Sequence, residues 1–279
     1  MAKTNQITLC GLVKKDPRIN EKNDYASLIL KTMIGPRNDG ENRKYRYVYN
    51  VIVSRDPAII DKIDNIKEGD LIYIKGVIVT RNVTKKHICP GCQESISDEG
   101  QIVYCEPIYL EKICTPSKEE AQKVLNEHCE ISNEARVVGH VTTDPHDVPG
   151  KTKSVKYHLA IDRTYRLVNS TEDEKCDFPI VHSYGDNAKE DKLRIHTGSL
   201  VLIDGYLQGF EKKVPCKCPS CHLDHEWTDT RMEIVPFETE YLKDYVTNKD
   251  LLGESEIVAE ATEIFSESNV GLMESVVFD

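Results

Sequence analysis

The 279 residues carry 36 Lys and Arg against 47 Asp and Glu, a net charge of −11, with 10 cysteines. That length fits one large domain or two of about 100–150 residues. The chain has no apolar run near the ~18 residues of a membrane helix, and MAKTNQITLC lacks the apolar core of a signal peptide. A cytoplasmic protein is expected, in which clustered thiols hold metal rather than disulfides.

In chain order, QITLCGLVKKDP reads as a strand ended by an Asp-Pro turn signal. YASLILKTMIG is a second strand. KYRYVYNVIVS is a third, with Tyr45, Tyr47, Tyr49, Val51 and Val53 on one face. DPAIIDKIDNI has helical apolar spacing, with Asp56 as N-cap and Pro57 at the first helical position. GDLIYIKGVIVTRN is a fourth strand and QIVYCEPIYLEKI a fifth. HICPGC lies between those two. SKEEAQKVLNEHCEIS then reads as a linker helix opened by a Ser117–Glu120 capping box.

Much of this order recurs. CGLVKKDP matches VGHVTTDP through G-x-V-x-x-D-P, and EGDLIYIKG matches TGSLVLIDG at an offset of 129 residues. The same offset sets Cys89 on Cys218, Cys92 on Cys221, His87 on Cys216 and Pro107 on Pro236. A tandem duplication is expected. Its units are residues 1–114 and 133–238, joined by a linker at 115–132 and followed by an acidic tail at 239–279. Three strands, a helix and two strands is the order of the OB-fold, a five-stranded barrel. The expected fold is therefore mainly β, two tandem OB barrels, each with a cysteine hairpin between its fourth and fifth strands.

Charge is uneven. Residues 1–114 hold 18 basic against 15 acidic residues, residues 133–238 hold 14 against 18, and residues 250–279 hold eight acids and no base. Such an acidic end is expected to be solvated and to serve interactions.

Each C-x-x-C supplies two zinc ligands from one turn. His87, Cys89 and Cys92 with Cys105 form the expected first site, Cys114 being an alternative. Cys216, Cys218 and Cys221 with His225 form the second, His222 being an alternative. No general base or open zinc motif accompanies them, and there is no P-loop, so two structural zinc ions and no enzymatic activity are expected.

The stretches GLVKKDPRI, YASLIL and YVYNVIVSRDPAIIDKIDNIKEGDLIYIKGVIVTRN resemble the bacterial single-stranded DNA-binding protein family over most of residues 5–83. The resemblance weakens in the second unit, and the usual members have neither two folds per chain nor cysteine knuckles. It implies a protein that coats single-stranded DNA with little sequence preference in replication, recombination or repair. It also implies four OB-folds, here a homodimer.

Aromatic platforms and cations are what such binding needs. The first unit offers Lys31, Arg43, Lys44, Tyr45, Arg46, Tyr47, Tyr49, Arg55, Tyr73, Lys75, Arg81, Lys85 and Lys86, with Tyr47 at the family's base-stacking position by resemblance. The second offers Arg163, Arg166, Phe178, Tyr206, Phe210, Lys212 and Lys213, and stronger binding is expected of the first. By the same resemblance Val276, Val277, Phe278 and Asp279 form a tip that docks replication and repair proteins. The competing expectation is a protein-interaction adaptor of a replication or primosome complex, its barrels and hairpins binding proteins instead.

Overall fold

The structure, a computed structural model, describes residues 4–34, 46–150, 152–163, 176–248 and 250–251. Its strands and helices run β1 (Asn5–Val13), β2 (Arg18–Ile19), β3 (Ala26–Ile34), β4 (Arg46–Ser54), α1 (Pro57–Ile63), β5 (Leu71–Ile88), β6 (Ser95–Cys114), α2 (Ala121–Glu127), β7 (Asn133–Val141), β8 (His146–Asp147), β9 (Ser154–Asp162), β10 (Cys176–Asp177), β11 (Ile180–Tyr184), α3 (Gly185–Arg194), β12 (Leu200–Lys217) and β13 (Asp224–Lys243). Among the described residues, no helix is long and apolar enough to cross a membrane.

The fold is mainly β, built on a closed five-stranded barrel. β1 pairs with β5, β5 with β6, β6 in parallel with β4, β4 with β3, and β3 returns to β1. This is OB connectivity, with α1 between the third and fourth barrel strands. The Asp56 side chain caps α1 by accepting from Ala58 N at 2.9 Å, and Pro57 follows at the position where a missing N–H costs nothing.

The remaining long strands pair in the same cyclic order: β7–β12, β12–β13, β13–β11 in parallel, β11–β9 and β9–β7. β1 and β7 pair antiparallel from Asn5↔Val137 to Leu9↔Asn133, so all thirteen strands join one sheet. One apolar core runs through the junction, from Ile7, Leu9 and Ile74 to Val137, Val201 and Ile203. Each half holds one of its own long strands through a matching asparagine. Asn5 Nδ2 donates to Ile78 O at 3.0 Å and its Oδ1 accepts from Ile78 N at 2.9 Å; Asn133 makes both bonds to Leu207, at 2.8 and 2.9 Å. Both amides are buried, and each hydrogen-bond pair satisfies backbone groups that would otherwise be stranded.

The expected capping box forms only in part. Ser117 Oγ accepts from Glu120 N at 3.3 Å, but it donates to Glu120 Oε2 at 2.8 Å. The helix starts at Ala121 with no side-chain cap on it and is only two turns long. α2 docks on the outside of the five-stranded barrel. Its Leu125 is fully buried among Cys10, Leu12, Met33 and Leu71.

Candidate nucleic-acid interface and metal centre

β5–β6 and β12–β13 are hairpins of 18- and 20-residue strands, far longer than a small barrel needs. Their outer halves leave the two cyclic sets of strands as two arms. A salt bridge joins the arms, Lys85 Nζ to Asp229 Oδ1 at 2.5 Å, with both side chains largely buried. At the tips the two knuckles share one backbone form. Gln93 N donates to Cys89 O and His222 N to Cys218 O, each at 3.0 Å. Gln93 and His222 both close the turn in the left-handed region, at φ 60° and 58°.

The tips meet. Sγ atoms of Cys89 and Cys221, and of Cys92 and Cys218, lie 3.6 Å apart, and all four lie within 4.8 Å of one another. That is too long for a disulfide, whose sulfurs are about 2.05 Å apart. It matches the ~3.8 Å edge of a tetrahedron with metal–sulfur bonds of about 2.3 Å. Backbone N–H groups of Cys92 and Gly91 point at the Cys89 sulfur and lower its thiol to about 7. The N–H groups of Cys221 and Ser220 lower Cys218 likewise. Cys92 and Cys221 shift the other way: backbone N–H groups of Glu94 and Leu223 lower their thiols, but hydrogen bonds with neighbouring cysteine sulfurs outweigh this and raise them. A zinc ion takes thiolates, and its charge favours them, so the clustered four sulfurs are compatible with one.

The expected division of ligands therefore changes. In place of one set within each half, each set draws on both hairpins. His87, Cys216 and His225 form a separate group of three. Cys105 belongs to neither. Its side chain is fully buried in the first barrel, where β6 lies between Ile52 of β4 and Ile78 of β5, and burial pushes its thiol well up. Strand alternation at that position points the sulfur into the core instead of along the arm. Cys114 lies against the α2 cluster, and His222 also stands outside both groups.

The DNA-binding candidates separate into exposed and absorbed residues. Tyr47 and Tyr49 lie on the outer face of β4, the face opposite Val48, Asn50 and Ile52. Tyr49 is 40% exposed, with Lys14 Nζ 4.1 Å from its ring centre. Tyr47 is half covered by α2, its hydroxyl accepting from Gln122 Nε2 at 2.6 Å, with Lys31 Nζ 4.4 Å over the ring. Tyr73 is half buried edge-on to Tyr109. Lys75, Lys86, Lys212 and Lys213 are exposed, and Phe178 is 44% exposed. Arg55 and Arg81 are half-buried, Arg81 Nε donating to Tyr104 Oη at 2.8 Å.

Tyr206 and Arg163 are absorbed. Tyr206 is buried at the junction with Ile34, Val48 and Val235, and Arg46 of the first half donates to its hydroxyl. Arg163 makes two bonds to buried Asp177, at 2.6 and 2.8 Å, and Asp177 accepts from Thr80 N at 2.7 Å. Both serve the contact between the halves and leave no ring face or free charge for a ligand. Arg43, Lys44, Tyr45, Arg166, Val276, Val277, Phe278 and Asp279 lie outside the described residues.

β4 and β12 touch where Gly209 faces the Tyr49 carbonyl. A Cβ at Gly209 would stand 1.8 Å from that oxygen, so only glycine permits the approach. It sets the strand bearing Tyr49 beside the arm bearing Phe210 and Lys212. A cavity of about 600 Å³ opens between the arms, lined by Lys85, Lys156, Phe210, Lys212, Trp227 and Arg231 among others. Sequence reading passed over Lys14, Lys156 and Trp227. The sole tryptophan of the chain, in a charged stretch of alternating strand pattern, was the available signal.

No family model and no curated protein matches the sequence. The structure is similar to those of the single-stranded DNA-binding protein from Thermus aquaticus. A deletion variant aligns at TM-score 0.57 and 16% identity, covering 88% of this chain and 98% of that one. The wild-type protein aligns at TM-score 0.55 and 16% identity, covering 88% and 95%. The chain shares their fold.

Proposed function

We propose that this chain coats single-stranded DNA with little sequence preference, as a non-enzymatic protein of replication, recombination or repair. The observation that carries the reading is the Gly209–Tyr49 approach. Through it the exposed aromatic and basic residues of β4 continue into the arm with Phe210 and Lys212, on a fold shared with proteins named for this binding. Tyr49, Phe178 and Phe210 would stack bases, each contributing about 1–3 kcal/mol. Lys14, Lys75, Lys86, Lys212 and Lys213 would neutralise phosphates, giving a steep salt dependence.

We read the two cyclic sets of strands as duplicated OB barrels, residues 1–114 and 133–238, joined by 115–132. The matched Asn5 and Asn133 bonds and the matched knuckle turns support that reading. One zinc ion held by Cys89, Cys92, Cys218 and Cys221 would tie the arms at their tips, restricting hairpins that are otherwise costly to order. Residues 239–243 of the expected tail belong to β13, so the acidic segment that would recruit partner proteins starts after Lys243, and a cytoplasmic homodimer would bring four barrels to the DNA.

Titrating the full chain with oligo-dT of increasing length at two salt concentrations tests the reading. Micromolar or tighter binding that strengthens with length and weakens with salt supports it. Absence of binding at low salt overturns it in favour of a protein-interaction adaptor.

A further inference from the structure

We propose that His87, Cys216 and His225 form a second metal site, assembled from both hairpins, that holds a zinc-class divalent ion with three protein ligands and one exchangeable position. A ligand atom from each of the three lies within 4.8 Å of the other two. β5 contributes His87, β12 Cys216 and β13 His225, so the site exists only because the arms meet.

The imidazoles are otherwise unexplained. The His87 side chain is 7% exposed, and neither of its ring nitrogens has a hydrogen-bond partner. The Nε2 of His225 is buried and lacks one too. Desolvated polar atoms left in this way are costly, and a metal ion satisfies them. The surroundings orient the rings as ligands require. His225 Nδ1 lies 3.3 Å from Leu223 O, which fixes the proton there and turns the Nε2 lone pair inward. On His87, Asp98 Oδ2 lies 3.6 Å from Nδ1, beyond hydrogen-bond length, so a carboxylate stands near the ring without fixing it. Trp227 stacks on His87 at 4.8 Å between ring centres and 5° between planes, holding the ring flat. Two imidazoles and a thiolate make a borderline donor set that suits zinc.

The register of the two hairpins explains why there are three ligands and not four. His87 and Cys216 occupy matched positions 129 residues apart. His225 pairs across its hairpin with Cys216, and the matched partner of His87 is Ile96. Symmetry would put a fourth ligand at position 96. An isoleucine stands there, packed against Cys89 and Cys218. Among the described residues no fourth side chain joins the group, and Cys216 and Asp98 border the open cavity between the arms. Three protein ligands beside an accessible cavity is the arrangement that lets an external ligand bind zinc.

The test uses the full chain, stripped of metal and titrated with cobalt. Two ions per chain are expected, one with the strong sulfur-to-cobalt bands of a tetrathiolate. His225→Gln and Cys216→Ser should each reduce the count to one and leave those bands intact. Added imidazole should shift the remaining d–d bands of the native chain. Ile96→His should tighten the second site by about tenfold or more and abolish that shift. A single ion in the native chain would overturn the proposal, as would two ions unaffected by His225→Gln and Cys216→Ser. So would loss of both ions together in variants whose circular dichroism is native. None of these readouts depends on DNA binding.

Discussion

The two halves of the chain have the same skeleton and put their surfaces to different uses. Each has an asparagine clamped to a long strand, a parallel pair closing its ring, and a positive-φ glycine before that strand, Gly69 at φ 87° and Gly198 at φ 101°. Each ends in the same knuckle. In the first half, however, Tyr49 and several lysines stay at the surface, whereas in the second Tyr206 and Arg163 are consumed by the junction. The comparison teaches that residue type predicts chemistry only when the partner surface is known. An aromatic on an outer strand face is a platform if water covers it and a core residue if the other half of the chain does.

Breaking the shared tip should have the largest effect. A Cys89→Ser, Cys218→Ser double variant should lose the tetrathiolate ion and free both arms. Structural zinc contributes about 10–16 kcal/mol in small peptides. Losing even a third of that would lower Tm by roughly 10 °C. Hydrogen exchange should rise in both arms equally, and an increase confined to one arm would show that the tips are not joined.

Two tyrosines sharpen the contrast between the halves. Tyr206→Ala should cost about 3–5 kcal/mol of stability, read by denaturant unfolding, because it opens the junction. Tyr49→Ala should leave stability within about 0.5 kcal/mol and weaken oligo-dT binding by the roughly 1–3 kcal/mol of a stacked base. Equal stability losses would erase the difference between the two tyrosines.

An acid-sensitive pair in the second half is the next comparison. Burial alone would raise Glu233, but hydrogen bonds from His182 Nδ1 and Lys156 Nζ, both at 2.7 Å, hold its carboxyl below the usual value. A lowered carboxylate stabilises the fold above its unfolded pKa, near 4.3 for Glu, and that stability is lost as pH falls through the folded value. Glu233→Gln should therefore reduce stability at neutral pH and flatten the loss between about pH 5 and 3, measured by thermal unfolding across that range.

The smallest effect expected is also the most symmetric. Gln93→Gly and His222→Gly each relieve a left-handed non-glycine residue. Each should raise stability by about 0.5–1 kcal/mol, and by similar amounts if the two knuckles carry equal strain.

The sequence by itself determined the strand order, the cap of α1 at Asp56 and Pro57, the repeat register and the two knuckles. These depend on alternation, turn residues and local spacing, which neighbouring residues impose without help from distant ones. Cys89, Cys92, Cys218 and Cys221 were legible as candidate metal ligands for the same reason. Only the tertiary structure decided which thiols meet. The knuckles lie 129 residues apart, and their pairing follows from β1 docking on β7, which sets both arms on the same side. It also decided that Cys105 faces the core, because a one-residue step along a strand reverses the face. The burial of Tyr206 and Arg163 was set by the same docking, and no local pattern in either half records it.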